Sequence, residues 1–221
     1  MKGYFVTGTD TGVGKTFVGA ALAKRARELG ERVFGFKPIE TGVPAQREGE
    51  DQVLLCDAAG GWQTGELRGV YRYRQPAAPR VAAEAERTKI DLDRIARVFR
   101  EGLAATHPNG GTPTFAVTEG AGGWRVPITD TADTSTLAKA IGLPVLVVAR
   151  AGLGTINHSL LTLEAIERDG CEIAALVLNV RHDDDRIFAR SNEQEIRTRW
   201  PGRIVYFLEP TDLDPLIVGP S

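Results

Sequence analysis

Short apolar runs alternate with stretches of helical periodicity along the chain. Tyr4-Phe5-Val6-Thr7 reads as a buried strand. From Lys15 the spacing becomes helical, with Val18, Leu22 and Leu29 roughly on one face and Gly30 as a stop. Val33-Phe34-Gly35-Phe36-Lys37 is a second strand, ended by Pro38, and residues 38–50 form a long loop rich in Gly, Glu and Pro. Asp91 has the character of an N-cap, because Leu92, Ile95, Ala96, Phe99 and Leu103 follow it at helical spacing. Further strands are predicted at Thr114 to Thr118, Pro144 to Ala149, Ile173 to Val180 and Arg203 to Phe207. Helical segments fall around 134–141, 155–169 and 184–199, and 106–113 is a surface connector.

Continuously apolar strands separated by helices imply a mostly parallel central sheet with helices on both faces, an α/β fold. In such folds ligands sit at the carboxyl ends of the strands. The 221 residues are predicted to form one domain. A formal charge of −2 provides no basic footprint for nucleic acid. The sequence opens on a strand rather than a cleavable leader, and no apolar run is long enough to span a bilayer, so a cytoplasmic protein is expected. Cys56 and Cys171 are read as buried free thiols.

The richest chemistry lies between the first strand and the first helix. Gly8-Thr9-Asp10-Thr11-Gly12-Val13-Gly14-Lys15-Thr16 is a glycine-rich turn that opens a helix, the arrangement of a triphosphate-binding P-loop. Backbone N–H groups cradle phosphate oxygens, Lys15 reaches the outer phosphates, and the Thr16 hydroxyl suits Mg²⁺. The spacing is offset by one residue, since Thr9 holds the position usually taken by the first glycine.

Four more residues fall at strand or loop ends on the same edge. Glu119 follows a buried strand and precedes Gly120-Ala121-Gly122-Gly123, well placed to hold Mg²⁺. Asp51 stands at the start of a helical run, where helix capping competes with metal binding. Lys37 ends the second strand, as a surface lysine or as a charge that stabilises phosphoryl transfer. Asn179 ends another strand, as a turn residue or a reader of a base edge. Asp183-Asp184-Asp185 reads as a solvated helix start, and His107, His158 and His182 are too scattered for a zinc site.

Together these motifs resemble the dethiobiotin synthetases, ATP-dependent cyclo-ligases of biotin synthesis. The resemblance rests on Val6 to Thr16, Phe36-Lys37-Pro38-Ile39-Glu40-Thr41-Gly42, Glu50-Asp51, Thr118 to Trp124 and Gly154-Thr155-Ile156-Asn157-His158, in that order. It implies a substrate, 7,8-diaminononanoate, whose amine captures CO₂ as a carbamate that ATP then activates. It also implies a catalytic role for Lys37 and Lys15. Thr11, Gly12, Val13, Gly14, Lys15, Thr16 and Phe17 would bind ATP with Asp51, Glu119 and Gly120 to Gly122. Asn179 would bind adenine, closed over by Phe207, Leu208 and Glu209. Thr16, Asp51 and Glu119 would hold Mg²⁺. Thr41 and Gly122 would contact the diamine, and Asn157 would reach into the neighbour's site of a homodimer. Two departures stand out: Ala77, Ala78 and Arg80 replace hydroxyl and His positions usual in that family, and no proline precedes the last residues of the adenine segment.

Rival readings are a partitioning-type switch ATPase, an amidoligase acting on another carboxylate, and a small-metabolite kinase. The switch ATPases carry an early lysine in the loop where this chain has Asp10, and the tail from Thr211 is neither basic nor a convincing amphipathic helix.

Overall fold

The computed structural model describes residues 2–106, 114–182, 184 and 186–218. Within them β1 (Lys2–Gly8) leads through the glycine-rich turn into α1 (Lys15–Glu28). β2 (Val33–Phe36), β3 (Ile39–Thr41), α2 (Glu50–Ala58), β4 (Tyr71–Tyr73), α3 (Pro79–Ala85) and α4 (Leu92–Ala105) follow. Next come β5 (Phe115–Gly123), α5 (Thr134–Ile141), β6 (Val145–Arg150) and α6 (Thr155–Arg168). The last elements are β7 (Ile173–Asn179), α7 (Arg186–Arg197), β8 (Ile204–Phe207) and a helical turn, α8 (Asp214–Ile217).

Six strands form one sheet in the order β2-β5-β1-β6-β7-β8, every neighbouring pair parallel. Alternate residues of each strand enter different cores, which is why the strands read as unbroken apolar runs. In β6, Val145, Val147 and Ala149 face one core while Leu146 and Val148 face the other. Ile95 and Phe99 of α4, Leu137 of α5, Leu163 of α6 and Ile196 of α7 fill the first core. Val18 and Leu22 of α1, Leu55 of α2 and Ile217 of α8 fill the second. Each such side chain withdrawn from water contributes about 1.5–3 kcal/mol. The expected architecture, helices on both faces of a parallel sheet, is the one found.

The order of the strands places the site. α1 leaves β1 over one face, and α5 leaves β5 over the other, although β1 and β5 are neighbours. Such a switch opens a crevice beyond the carboxyl ends of the two strands. The phosphate loop follows β1, and Glu119 to Gly123 form the last part of β5.

Local expectations fare unevenly. Asp91 caps α4, accepting from the backbone N–H of Asp93 at 2.9 Å and of Arg94 at 3.1 Å. Residues 38–50 are not all loop: Ile39–Thr41 pairs in parallel with Tyr71–Tyr73 as a second, two-stranded sheet. Leu29 is 40 % exposed, because it stands at the C-cap, past the turn that faces the core. Cys56 is buried, but Cys171, in the turn after α6, is only half-buried; both are free thiols. Of the connector at 106–113 only Thr106 and nothing of His107 lies within the described residues, and Asp183 and Asp185 also lie outside them. No helix among the described residues is long and apolar enough to cross a membrane.

Candidate active site

The phosphate loop is shaped by two glycines in the left-handed region, Gly12 at φ 73° and Gly14 at φ 98°. Gly14 is the N-cap of α1, with no side-chain cap and no acidic residue in the first turn. The first-turn N–H groups are therefore left to meet an anion, and the helix end favours one. Thr9 N–H donates to Val148 O at 3.0 Å, anchoring the loop on β6. Lys15 Nζ folds back to Asp10 O at 2.9 Å. Lys15 is 7 % exposed; burial, then the neighbouring Lys37 charge, hold its pKa below the ordinary lysine value.

Lys37 is no surface lysine. It lies directly beyond β2, 4 % exposed, and its ammonium donates to Glu119 Oε1, to Gly120 O at 3.2 Å, and pairs with Asp51 Oδ2 at 3.2 Å. Burial works against its charge, yet Glu119 and Asp51 raise its pKa, so the amine stays an ammonium. Glu119 is pushed upward by its own burial, which Lys37 opposes. Thr16 Oγ1 donates to the same Glu119 oxygen at 3.0 Å. Asp51 is not the cap of α2, since Gly49 holds that position; it stands in the first turn with its carboxylate toward Lys37.

Thr16, Asp51 and Glu119 thus converge, and they fit a magnesium ion. Glu119 Oε2 is buried without any protein partner, an acceptor that a cation would satisfy. Among the described residues no three His, Cys, Asp or Glu side chains gather as a self-sufficient metal cage. Mg²⁺ as a rule is bound by one or two carboxylates, with water and substrate phosphate making up the shell.

A cleft of about 330 Å³ joins these groups. Its lining includes Thr11, Gly12, Gly14, Lys15, Thr16 and Phe17 on one side and Lys37, Glu40, Thr41, Asp51, Glu119, Ala121 and Gly122 on the other. A second hollow of about 440 Å³ beside α3 shares none of these residues; its lining includes Arg80, Glu84, Arg87 and Lys89. Arg80 is committed there, donating from Nε to Asp130 at 2.6 Å.

Another hollow opens next door, lined by Gly14, Phe17, Asn179, Arg181, His182 and Leu208. Asn179 Nδ2 donates to Val13 O at 3.0 Å and so ties β7 to the phosphate loop. Phe207 is buried and sits behind the wall, its ring 5.8 Å from that of Phe17, while Leu208 lines this hollow and Glu209 an adjoining one that shares Arg181, His182 and Leu208 with it. Gly120 is buried in β5. Asn157 is exposed on the first turn of α6 and is not among the residues lining the cleft.

Three contributors went unread in the sequence. Glu40 and Gln52 hold the start of α2, and Arg181 Nη2 donates to Gly12 O at 2.5 Å. Glu40 lay in plain sight within Lys37-Pro38-Ile39-Glu40-Thr41, and only Gly49, a helix start with no side chain to cap it, signalled the need for it.

Residues 2–211 match a family described as the AAA domain. An ATP-dependent dethiobiotin synthetase BioD from Anaeromyxobacter dehalogenans strain 2CP-C is 46 % identical over 89 % of this chain and 84 % of its own. The synthetase of the same name from Anaeromyxobacter sp. strain K is 45 % identical over the same shares. Among solved structures, the MinC:MinD cell division complex of Aquifex aeolicus aligns with TM-score 0.54 at 11 % identity, covering 98 % of this chain and 85 % of that one. A ParA family ATPase from Chlorobium tepidum TLS aligns with TM-score 0.52 at 14 % identity, covering 99 % and 90 %. Those two likenesses describe the P-loop fold and no more; the sequence kinship, together with two lysines and two carboxylates around one cleft, shows that the chain belongs to the ATP-dependent dethiobiotin synthetases.

Proposed function

We propose that this protein closes the ureido ring of dethiobiotin from 7,8-diaminononanoate and CO₂ at the expense of ATP. One observation carries the reading. Lys15 and Lys37, both buried, line one cleft together with the uncapped start of α1, and two ammoniums beside a bare helix start suit anionic ligands. A carbamate and a γ-phosphate are such anions. One substrate amine takes up CO₂ and loses a proton, giving the carbamate. Its oxygen attacks the γ-phosphorus, the bond to the β-phosphate oxygen breaks, and ADP leaves. The second amine then attacks the carbamoyl carbon of the mixed anhydride and expels phosphate, closing the ring.

The protein's part is positioning and charge. Lys37 neutralises the carbamate and the transferring phosphoryl group, and Lys15 bridges carbamate and γ-phosphate. The N–H groups of residues 11–17 hold the phosphate chain. Thr16, Asp51 and Glu119 would hold Mg²⁺, which supplies charge neutralisation across the phosphate oxygens. Thr41 and Gly122 contact the diamine, and Asn179 with Leu208 and Glu209 borders the base.

The reading is tested by incubating the protein with ATP, Mg²⁺, bicarbonate and 7,8-diaminononanoate. ADP release should depend on the diamine and match the ureido product mole for mole. ATP turnover indifferent to the diamine, without ring product, overturns it.

Asn157, exposed and outside the cleft of its own subunit, serves the neighbour's site in a homodimer. α6 begins as α1 does, with an N-cap glycine in the left-handed region and no side-chain cap, an end suited to the substrate carboxylate. Asn157→Ala should raise the KM for the diamine roughly tenfold, the loss of about one hydrogen bond to a charged group. At diamine concentrations well below KM, where both variants alone are weak, mixing Asn157→Ala with Lys37→Ala subunits should restore about a quarter of wild-type activity, because half the dimers then hold one complete site. No recovery on mixing would show that Asn157 does not act across the interface.

A further inference from the structure

We infer that Glu40 is a positioning residue: it caps the N-terminus of α2 from outside that helix and thereby fixes where the Asp51 carboxylate stands. The inference rests on the proposed function for its consequence, since Asp51 is there a group of the phosphoryl-transfer cleft.

A helix start leaves backbone N–H groups that a capping side chain normally satisfies. In α2 the N-cap is Gly49, which has no side chain to offer. Glu40, arriving from β3, supplies what is missing. Its Oε1 accepts from Asp51 N–H at 3.1 Å and its Oε2 from Gln52 N–H at 2.9 Å. A carboxylate at this end of a helix is also favoured by the helix dipole. Glu40 is 8 % exposed, so the contact is shielded from water.

Gly49 shows that the contact is built in. Its backbone, φ −69° and ψ 128°, suits any residue. A Cβ at that position would nevertheless lie 2.1 Å from Glu40 Oε2. The glycine is there for room, not for backbone freedom.

The turn that Glu40 holds touches both charged partners of the cleft. Asp51 pairs with Lys37. Gln52 Nε2 donates to Lys37 O at 3.1 Å and to Tyr71 O at 3.3 Å, tying the start of α2 to the backbone of Lys37 and to β4. Asp51 itself is 39 % exposed at its side chain, so packing does little to hold it. Its direction is set by the turn beneath it, and Glu40 fastens that turn.

The experiment uses the cap as its own control. Three variants of the full chain are compared with wild type: Glu40→Ala, Gly49→Ser and the double variant Glu40→Ala/Gly49→Ser. In the double variant a serine takes the N-cap where the missing carboxylate has left room. Binding of Mn²⁺ to the ADP complex is followed by the electron paramagnetic resonance of free Mn²⁺. Glu40→Ala should weaken Mn²⁺ about tenfold, the usual scale for losing a partner that orients a metal ligand. The double variant should recover to within about threefold of wild type, consistent with an ordinary serine cap. Gly49→Ser alone should bind Mn²⁺ less well than the double variant, since its side chain meets Glu40. Glu40→Gln keeps the volume and one acceptor and should fall between wild type and Glu40→Ala. Unchanged Mn²⁺ affinity in Glu40→Ala, or a double variant no better than the single one, overturns the assignment. Mn²⁺ binding with ADP needs no diamine. A protein that fails the ring-closure assay yet shows this pattern therefore loses only the ligase reading.

Discussion

Replacing Lys37 with alanine is expected to lower kcat by about 10²–10³-fold, the scale for deleting one preorganised charge from a polar active site. Affinity for ADP should change less than about threefold, since the residue acts where charge develops in the transition state and not where the diphosphate rests. Lys37→Met, which keeps most of the volume, should lose as much activity as Lys37→Ala if charge is what matters. Lys15→Ala makes the contrast, because that side chain opens α1 within the phosphate loop itself and should lose both nucleotide affinity and kcat. The Lys37 variants should also change the response of stability to pH. In the wild type Lys37 opposes the upward push that burial, and to a lesser extent Asp51, exert on the Glu119 pKa. With the ammonium removed, that pKa rises further above its unfolded value. A carboxyl group whose folded-state pKa is raised binds more protons folded than unfolded, so stability falls as pH rises through that range. The Tm deficit of Lys37→Ala relative to wild type should thus widen from acid toward neutral pH. Steady-state kinetics with ADP titration test the first claim and thermal melts over a pH series the second. Full activity in Lys37→Ala would remove the residue from the mechanism.

How much of this was legible in the sequence depended on the distance over which each signal acts. The phosphate loop is local: strand, two permissive glycines, Lys15, Thr16 and helix lie within a dozen residues, and the chain alone dictates them. The parallel strands were equally plain, because β5, β6 and β7 are buried on both faces and carry no polar alternation. Asp91 announced α4 because a cap acts within one turn. β3 was hidden by contrast. Three residues cannot show a period, and Ile39 becomes a strand only by pairing with Tyr71, on the far side of α2. Lys37 left open whether it was surface or site, since its burial depends on Glu119 arriving from β5. Gln63 was invisible for the same reason: fully buried, it mimics a neighbouring strand by bonding both the N–H and the C=O of Gly35. That contact occupies backbone groups of β2, which ends the sheet and would otherwise present an open edge. The resemblance supplied roles for residues that spacing could only nominate, while Glu40 shows a role that neither the motif nor its spacing disclosed.

Gly14→Ala is expected to weaken ADP binding about hundredfold, from two costs that fall on the same atom. Gly14 sits at φ 98° and ψ 27°, and an L side chain forced into the left-handed region costs about 1–2 kcal/mol. Its Cβ would also lie 2.1 Å from Asn179 Nδ2, the group that donates to Val13 O. Displacing Asn179 gives up that bond, about 1 kcal/mol more. The sum, about 2–3 kcal/mol, corresponds to roughly 30- to 150-fold in affinity. It appears in binding because an empty loop relaxes away from the strain, whereas phosphate needs the N–H groups of residues 12 to 16 aimed inward and forces the loop back. Gly142 separates the two costs. It is also left-handed, at φ 73°, as the C-cap of α5, but a Cβ there meets nothing within 4 Å. Gly142→Ala should lower stability by about 1 kcal/mol and leave ADP affinity untouched. Gly14→Ala/Asn179→Ala removes the collision but keeps the dihedral strain, so it should bind ADP better than Gly14→Ala and worse than wild type. Titration calorimetry of the variants decides the matter. An affinity for Gly14→Ala within about threefold of wild type would mean that the loop has another way to present its N–H groups, and the backbone geometry at Gly14 would lose its claim to shape the phosphate site.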